Sequence, residues 1–239
     1  MAIPRIIHYC WLSGERFPVL ENRCIESWKK HLPDYEFVLW DRERIKEIHS
    51  TWIDSAIAEK KWAFAADFIR LYALYNYGGI YLDCDVEVLK PFDNLLNRQM
   101  FVGRESARPV IEAAVMGSEA KMPWLKNSLD FYAGRSFDIS KINTPEVAIP
   151  FILKDFVDEE SVMDAKYFSP LNNLTGKCQI TPNTYCVHHF NGAWFTLYQK
   201  RYFEIRRNWS KRYGAVVGFV VASLFALMKK MRFVKEGEV

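Results

Sequence analysis

The chain has few cysteines and little net charge. Its five cysteines, at 10, 24, 84, 178 and 186, are an odd number and form no Cys-x-x-Cys pair. That argues against a disulfide framework or a zinc ribbon and points to a reducing compartment. The net charge of +3 over 239 residues is too small to be a nucleic-acid footprint by itself. No internal repeat or low-complexity segment is evident. No Gly-rich, Lys-containing phosphate loop stands near the start, where Leu12-Ser13-Gly14-Glu15-Arg16 is a poor version of one. Met1-Ala2-Ile3-Pro4 reads directly into a strand, so no leader segment is expected. Half of the residues are hydrophobic and 15% aromatic, enough to bury one sizeable α/β core.

The most informative stretch runs from Gly78 to Val88. Ile80-Tyr81-Leu82 is apolar without alternation and bounded by turn residues, as a short buried strand is. Asp83 and Asp85 follow, two residues apart. A buried strand does not carry two carboxylates for its own stability, because each costs several kcal/mol, as an order of magnitude, if dry and unpaired. At a strand end two carboxylates at i and i+2 can meet one hard cation, or they can cap a turn. Cys84 between them points to the opposite face and reads as core. Upstream, Trp62 to Tyr75 reads as a helix that Gly78-Gly79 stops. Asp67 and Arg70 share one face of it amid apolar neighbours, as a buried structural pair or as part of a site.

Ahead of that helix, Ile3–Trp11 and Glu36–Trp40 read as strands and Val19–His31 as an amphipathic helix. Asp41 is a good N-cap for a helix beginning at Arg42, and Trp52–Lys61 reads as a further helix. The start is therefore β-α-β-α, which predicts a parallel sheet. Met100–Gly103 and Ile111–Gly117 read as strands. Pro123 opens a helix at the position proline prefers, and Thr144-Pro145-Glu146 starts another, through about Phe156. Residues 164–170 and 179–187 read as late strands or loops. Then come His188 and His189; an imidazole beside two carboxylates can complete a Mn²⁺ site.

The end of the chain changes character. Residues 199–212 are dense in Lys and Arg with aromatics interleaved, and residues 214–228 are fifteen in a row without a charge. Spanning a bilayer takes about 20 apolar residues, so this run is short, and basic residues flank it at both ends. A helix lying on an anionic membrane surface fits better. A partner subunit or the domain's own core are the other covers for so apolar a run.

Ala66-Asp67-x-x-Arg70-x-x-x-Leu74-Tyr75-x-x-Gly78-Gly79-Ile80-Tyr81-Leu82-Asp83-x-Asp85 resembles the signature of sugar transferases with an Asp-x-Asp motif, closest to glycosyltransferase family 32. Ile3-Pro4-Arg5-Ile6-Ile7-His8-Tyr9-Cys10-Trp11 resembles that family's opening strand. The resemblance covers about the first 110 residues, with a weaker echo near 185–194. It implies an α/β fold of the GT-A type, a mostly parallel twisted sheet flanked by helices. Residues 1–197 would form the catalytic domain and 198–239 a basic, aromatic and apolar helical tail that associates with membranes.

The resemblance also implies roles. Asp67, Arg70, Asp83 and Asp85 would be catalytic. Trp11, Asp67, Arg70, Tyr75, Gly79, Asp83 and Trp194 would contact the nucleotide sugar, with packing as the plain alternative for Trp11 and Trp194. Asp83, Asp85 and His189 would hold Mn²⁺ (or Mg²⁺); His189-Phe190-Asn191-Gly192 fits a His-x-x-Gly spacing, and His188 competes with His189. The reaction implied is transfer of a hexose with retention, galactose from a UDP-linked donor being the favoured case. The acceptor expected is a polyprenyl-diphosphate-linked saccharide of bacterial surface polysaccharide synthesis. The place expected is the cytoplasmic face of a bacterial inner membrane. A metal-dependent nucleotidyltransferase and a non-catalytic nucleotide-sugar-binding scaffold are the rivals; nucleic-acid binding is not expected.

Overall fold

The computed structural model describes residues 2–108, 110–142, 144, 147–192 and 195–235, with side chains through residue 228. Its elements run β1 (Ile6–Cys10), α1 (Val19–His31), β2 (Glu36–Trp40), α2 (Thr51–Ala58), α3 (Trp62–Tyr77), β3 (Gly79–Leu82), β4 (Val86–Val88), β5 (Met100–Arg104) and β6 (Ile111–Ser118). They continue with α4 (Pro123–Phe131), α5 (Ile149–Leu153), β7 (Val162–Met163), β8 (Cys186–His188), α6 (Leu197–Tyr213) and α7 (Ala215–Lys235).

The main sheet has the order β2-β1-β3-β6-β5-β7. Pairs β1–β2, β1–β3 and β5–β7 are parallel, while β6 runs antiparallel to both β3 and β5. The β-α-β-α opening thus produces its parallel half, and β6 makes the whole mixed. A second sheet pairs β4 with β8, antiparallel, with Val86 opposite His188.

Two apolar cores cover the sheet. One packs α2, α3, α4 and α5 through Trp52, Phe64, Ile69, Leu74 and Tyr132. The other gathers Trp28 of α1 with Ile80, Leu82, Phe92, Phe101 and Phe168. Alternation along β3 sends Ile80 and Leu82 to the second core and Tyr81 to the first. α3 is mostly apolar, as a largely buried helix must be. Gly78 ends it at φ +66, its N–H donating to the Leu74 carbonyl at 2.9 Å.

Local chemistry adjusts several expected elements. Asp41 Oδ1 accepts the N–H groups of Glu43 and Arg44 at 3.1 and 2.9 Å, but a single 3-10 turn, Arg44–Glu47, follows it. The expected helix from 144 to 156 shortens to Ile149–Leu153. Pro150 lacks the N–H that a longer helix would use there, so it sits in the first turn; Pro145 and Glu146 lie outside the described residues.

α6 opens with a capping box: Thr196 Oγ1 accepts from Gln199 N–H at 3.2 Å and Gln199 Oε1 from Thr196 N–H at 2.9 Å. Gly214, at φ +94, breaks the chain between α6 and α7. The two then pack closely, since a Cβ at Gly218 would lie 2.0 Å from Ser210 Oγ. Ala222 is buried, whereas Val216, Val220, Leu224 and Leu227 are exposed. Among the described residues no helix is long and apolar enough to cross a membrane.

Candidate active site

The site forms where β3 ends. β1 lies parallel beside β3 with His8 opposite Tyr81, so both strands deliver their carboxyl ends to one edge. Ligands of open α/β sheets collect at such an edge. The chain turns straight after β3, Val86 N–H donating to the Asp83 carbonyl at 3.0 Å. Cys84 is buried, its thiol 3.5 Å from the Cys10 carbonyl, so it belongs to the core.

Arg70 is the centre of the first constellation. Its Nη2 lies 3.0 Å from Asp67 Oδ1 and 3.3 Å from Asp83 Oδ1. Its Nη1 donates to the Ala113 carbonyl on β6 at 2.7 Å. The guanidinium also lies over the Tyr81 ring, 4.6 Å from its centroid, and the Tyr81 hydroxyl donates to Asp83 Oδ1 at 3.0 Å. Asp67 and Arg70 are 7% and 5% exposed, so the guanidinium is fixed at nearly every donor. Burial pushes the Asp67 carboxyl up to about 7 against the pull of Arg70. Burial likewise raises Asp83, again opposed by Arg70.

The second constellation joins Asp83 and Asp85 to β8. One ligand atom each from Asp83, Asp85 and His188 lie within 4.8 Å of one another. His188 Nε2 is 3.4 Å from Asp85 Oδ1, and its Nδ1 is 2.8 Å from Glu112 Oε2. Glu112 is buried on β6; its carboxylate also accepts from Ala114 N–H at 3.1 Å and from the Ser169 hydroxyl. Burial opposes charge on Asp85, yet His188 and the Asn191 N–H at 2.8 Å outweigh it and bring Asp85 down to about 2. Burial lowers His188, but the two carboxylates dominate and hold its pKa well above the ordinary value. The donor set suits a hard divalent cation such as Mn²⁺ or Mg²⁺. With Nδ1 engaged by Glu112, Nε2 is the nitrogen that would face a cation, an arrangement common behind metal-bound histidines. Asp83 keeps 30% of its side chain exposed, which leaves a way in for a ligand.

The other residues singled out from the sequence fall as follows. His189 is not with the aspartates: its Nε2 is 2.8 Å from Glu87 Oε2 and 3.4 Å from Arg23. Neighbours along a strand point to opposite faces, so only one of the two histidines can turn to Asp85. Tyr75 sits eight residues past Asp67 on α3, about 12 Å along the helix, with its ring 4.4 Å from Lys121 Nζ. Gly79 begins β3, four residues and roughly 13 Å of strand from Asp83. Its φ is +99, and a Cβ there would meet the Ile6 carbonyl at 2.7 Å. It serves the close approach of β1 and β3. Trp11 is half-buried beyond β1 on the same edge as Asp83, donating to the Glu15 carbonyl at 2.7 Å with its ring 4.6 Å from Phe17. Trp194 lies outside the described residues.

Glu112 was not singled out from the sequence, although a lone carboxylate in Ile-Glu-Ala-Ala-Val-Met-Gly is a signal. A charge in so apolar a strand needs a partner. Asn191 was missed as well, and nothing in its spacing marks it.

Residues 18–102 match the family described as "glycosyltransferase sugar-binding region containing DXD motif". The inositol phosphoceramide mannosyltransferase 3 of Schizosaccharomyces pombe is 36% identical over 131 residues, 52% of this chain and 35% of that protein. The chain spans about a third of the length of such fungal relatives, 35%, 33% and 37% for three of them. The uncharacterized glycosyltransferase L373 of Acanthamoeba polyphaga mimivirus is 25% identical over 210 residues, 80% of this chain and 84% of that one. Among solved structures, the PaToxG glycosyltransferase superposes with a TM-score of 0.54 at 20% identity, covering 66% of this chain and 70% of that chain. That likeness concerns the fold.

Proposed function

This chain belongs to the glycosyltransferases whose sugar-binding region contains the DXD motif, and from that premise we propose that it transfers a hexosyl group from a nucleotide sugar to a hydroxyl of a lipid-borne acceptor. The observation that carries the reading is Arg70, held between Asp67 and Asp83 beside the Asp83–Asp85–His188 cluster. Asp67 and Arg70 take hydroxyls of the donor sugar. The buried guanidinium is already oriented by Ala113 and Tyr81, so it needs no rearrangement as charge develops on the leaving group. Asp83, Asp85 and His188 would hold Mn²⁺ or Mg²⁺, which supplies neutralisation of the departing diphosphate. Tyr81 and Glu112 orient Asp83 and His188 from behind. Transfer proceeds with retention.

The donor is a UDP- or GDP-linked hexose. Galactose follows from the sequence resemblance, and mannose from the names of the fungal relatives. The acceptor is an amphiphile whose head bears a phosphate, a description that covers both a polyprenyl-diphosphate saccharide and a phosphoinositol lipid. Residues 1–197 act as the catalytic unit and 198–239 as a tail that rests on a membrane surface through the exposed row of α7. The cytoplasmic face of a bacterial inner membrane is the location we assign.

The test is slow hydrolysis of UDP-galactose, UDP-glucose, UDP-GlcNAc and GDP-mannose by the purified chain, with and without Mn²⁺. Asp83→Asn and Asp85→Asn are run beside it. Metal-dependent release of one nucleotide, lost in both variants, supports the reading and names the donor. Calorimetry that finds no nucleotide sugar bound in the presence of Mn²⁺ would overturn it.

A further inference from the structure

A cleft of about 330 Å³ lies between α6 and the loop that follows β8. One wall is a face of α6 with Glu204, Arg207 and Lys211; the floor is His189, Phe190 and Asn191. Positions 204, 207 and 211 are three and four residues apart, so all three side chains emerge on one side of the helix.

Three observations bear on what the cleft takes. The first is charge. Glu204 is engaged by Arg201 at 2.7 Å, whereas among the described residues Arg207 and Lys211 form no salt bridge and no side-chain hydrogen bond. Two cations four residues apart with no acid between them are arranged for an incoming anion. The second is placement. Asn191 in the floor donates its backbone N–H to Asp85 Oδ2 at 2.8 Å and its side-chain amide to Glu21 at 2.6 Å. The cleft therefore begins one hydrogen bond from the candidate metal centre. The third is construction. Gly176 sits at φ +70, and a Cβ there would lie 2.5 Å from Lys211 Cε. The bare glycine lets the Lys211 stem lie along the opposite wall.

We propose that this cleft seats the acceptor's phosphate ester, gripped by Arg207 and Lys211, so that the hydroxyl to be glycosylated reaches past Asn191 toward Asp85. The inference rests on the transferase reading above and deepens it. Arginine offers phosphate two parallel N–H donors and lysine a mobile point charge. The same hairpin turns the exposed row Val216, Val220, Leu224 and Leu227 outward, so an amphiphile's head and tail meet one continuous element.

The experiment titrates the full chain with dihexanoyl phosphatidylglycerol, kept below its micelle concentration, with EDTA present. Arg207→Gln/Lys211→Gln should weaken binding at least tenfold. Lys29→Gln/Lys30→Gln, a cation pair on α1 outside the cleft, should leave it within twofold. Equal affinity in wild type and the cleft variant overturns the proposal, and so does equal loss in both variants, which would mean non-specific attraction. A second arm titrates UDP with Mn²⁺. If the cleft variant loses UDP by the same factor as lipid, the cleft holds the donor's diphosphate and the acceptor assignment falls. The lipid arm needs no donor and no turnover. Failure of wild type to bind any nucleotide sugar therefore sinks the transferase reading and not the cleft, while a lipid arm without effect sinks only the cleft.

Discussion

Arg70 Nη2 lies 3.3 Å from Asp83 Oδ1, although Arg70 is inside α3 and Asp83 follows β3. The contact ties the charged pair of the helix to the Asp-x-Asp end of the strand, so that a change to either is felt by both. Arg70→Lys keeps the charge but cannot hold Asp67, Asp83 and the Ala113 carbonyl together. Arg70→Ala leaves the buried Asp67 carboxylate and the half-buried Asp83 without their cation, which costs about 3–5 kcal/mol. Denaturant titration should show that loss in the alanine variant. The lysine variant should stay folded and lose transfer by a hundredfold or more. A lysine variant with wild-type transfer would remove Arg70 from the donor site.

The two adjacent histidines separate sharply. His188→Gln should weaken Mn²⁺ binding more than tenfold, and His189→Gln should change it less than threefold. Titration of free Mn²⁺ by electron paramagnetic resonance measures both. The reverse order would restore the His-x-x-Gly spacing as the guide and place the metal off the Asp85–His188 contact.

The parallel start of the sheet, the buried helix with Asp67 and Arg70, and the strand ending in Asp83 are legible because each is written in local apolar pattern and turn residues. His188 is not, because its role depends on β8 pairing with β4 about a hundred residues away, with Val86 set against His188. Spacing alone favours His189. Glu112 is half-legible: its burial follows from the apolar strand around it, whereas its partner is fixed only by tertiary structure. Gly79 and Tyr75 show the opposite limit. They stand inside a motif, yet the rise of strand and helix carries them away from its chemistry.

Glu112 acts on His188 rather than on substrate. Glu112→Gln keeps the shape but turns the carboxylate that accepts from Nδ1 into an amide. Loss of such an outer partner typically costs 10–100-fold in metal affinity. Mn²⁺ titration should show a loss in that range, with the melting temperature lowered by only a few degrees. Unchanged Mn²⁺ affinity would reduce Glu112 to a packing role.

Gly79→Ala should destabilise the fold with little direct effect on donor affinity. The backbone at φ +99 disfavours an L side chain, at roughly 1–2 kcal/mol, and the added Cβ would lie 2.7 Å from the Ile6 carbonyl. Denaturation midpoints compared with nucleotide affinity of the folded fraction decide it. An affinity loss at unchanged stability would return Gly79 to the donor site.

His8 gives the fold an acid sensitivity of its own. Trp40 Nε1–H donates to His8 Nδ1 at 3.2 Å, so the remaining proton sits on Nε2 and donates to the Gly78 carbonyl at 2.9 Å. Both ring nitrogens are satisfied only in the neutral form, and burial lowers the pKa from 6.5 to about 4. The unfolded chain takes up its proton near 6.5 and the folded chain only near 4. Between those values the unfolded state binds more protons, so stability is full above pH 6.5 and falls as pH drops toward 4. The whole excursion is worth roughly 3 kcal/mol at most. His8→Gln cannot titrate, so its unfolding free energy should lose that part of the slope between pH 6.5 and 4, relative to wild type in the same buffers. Equal slopes for the two proteins would mean that another group sets the acid limit of the fold.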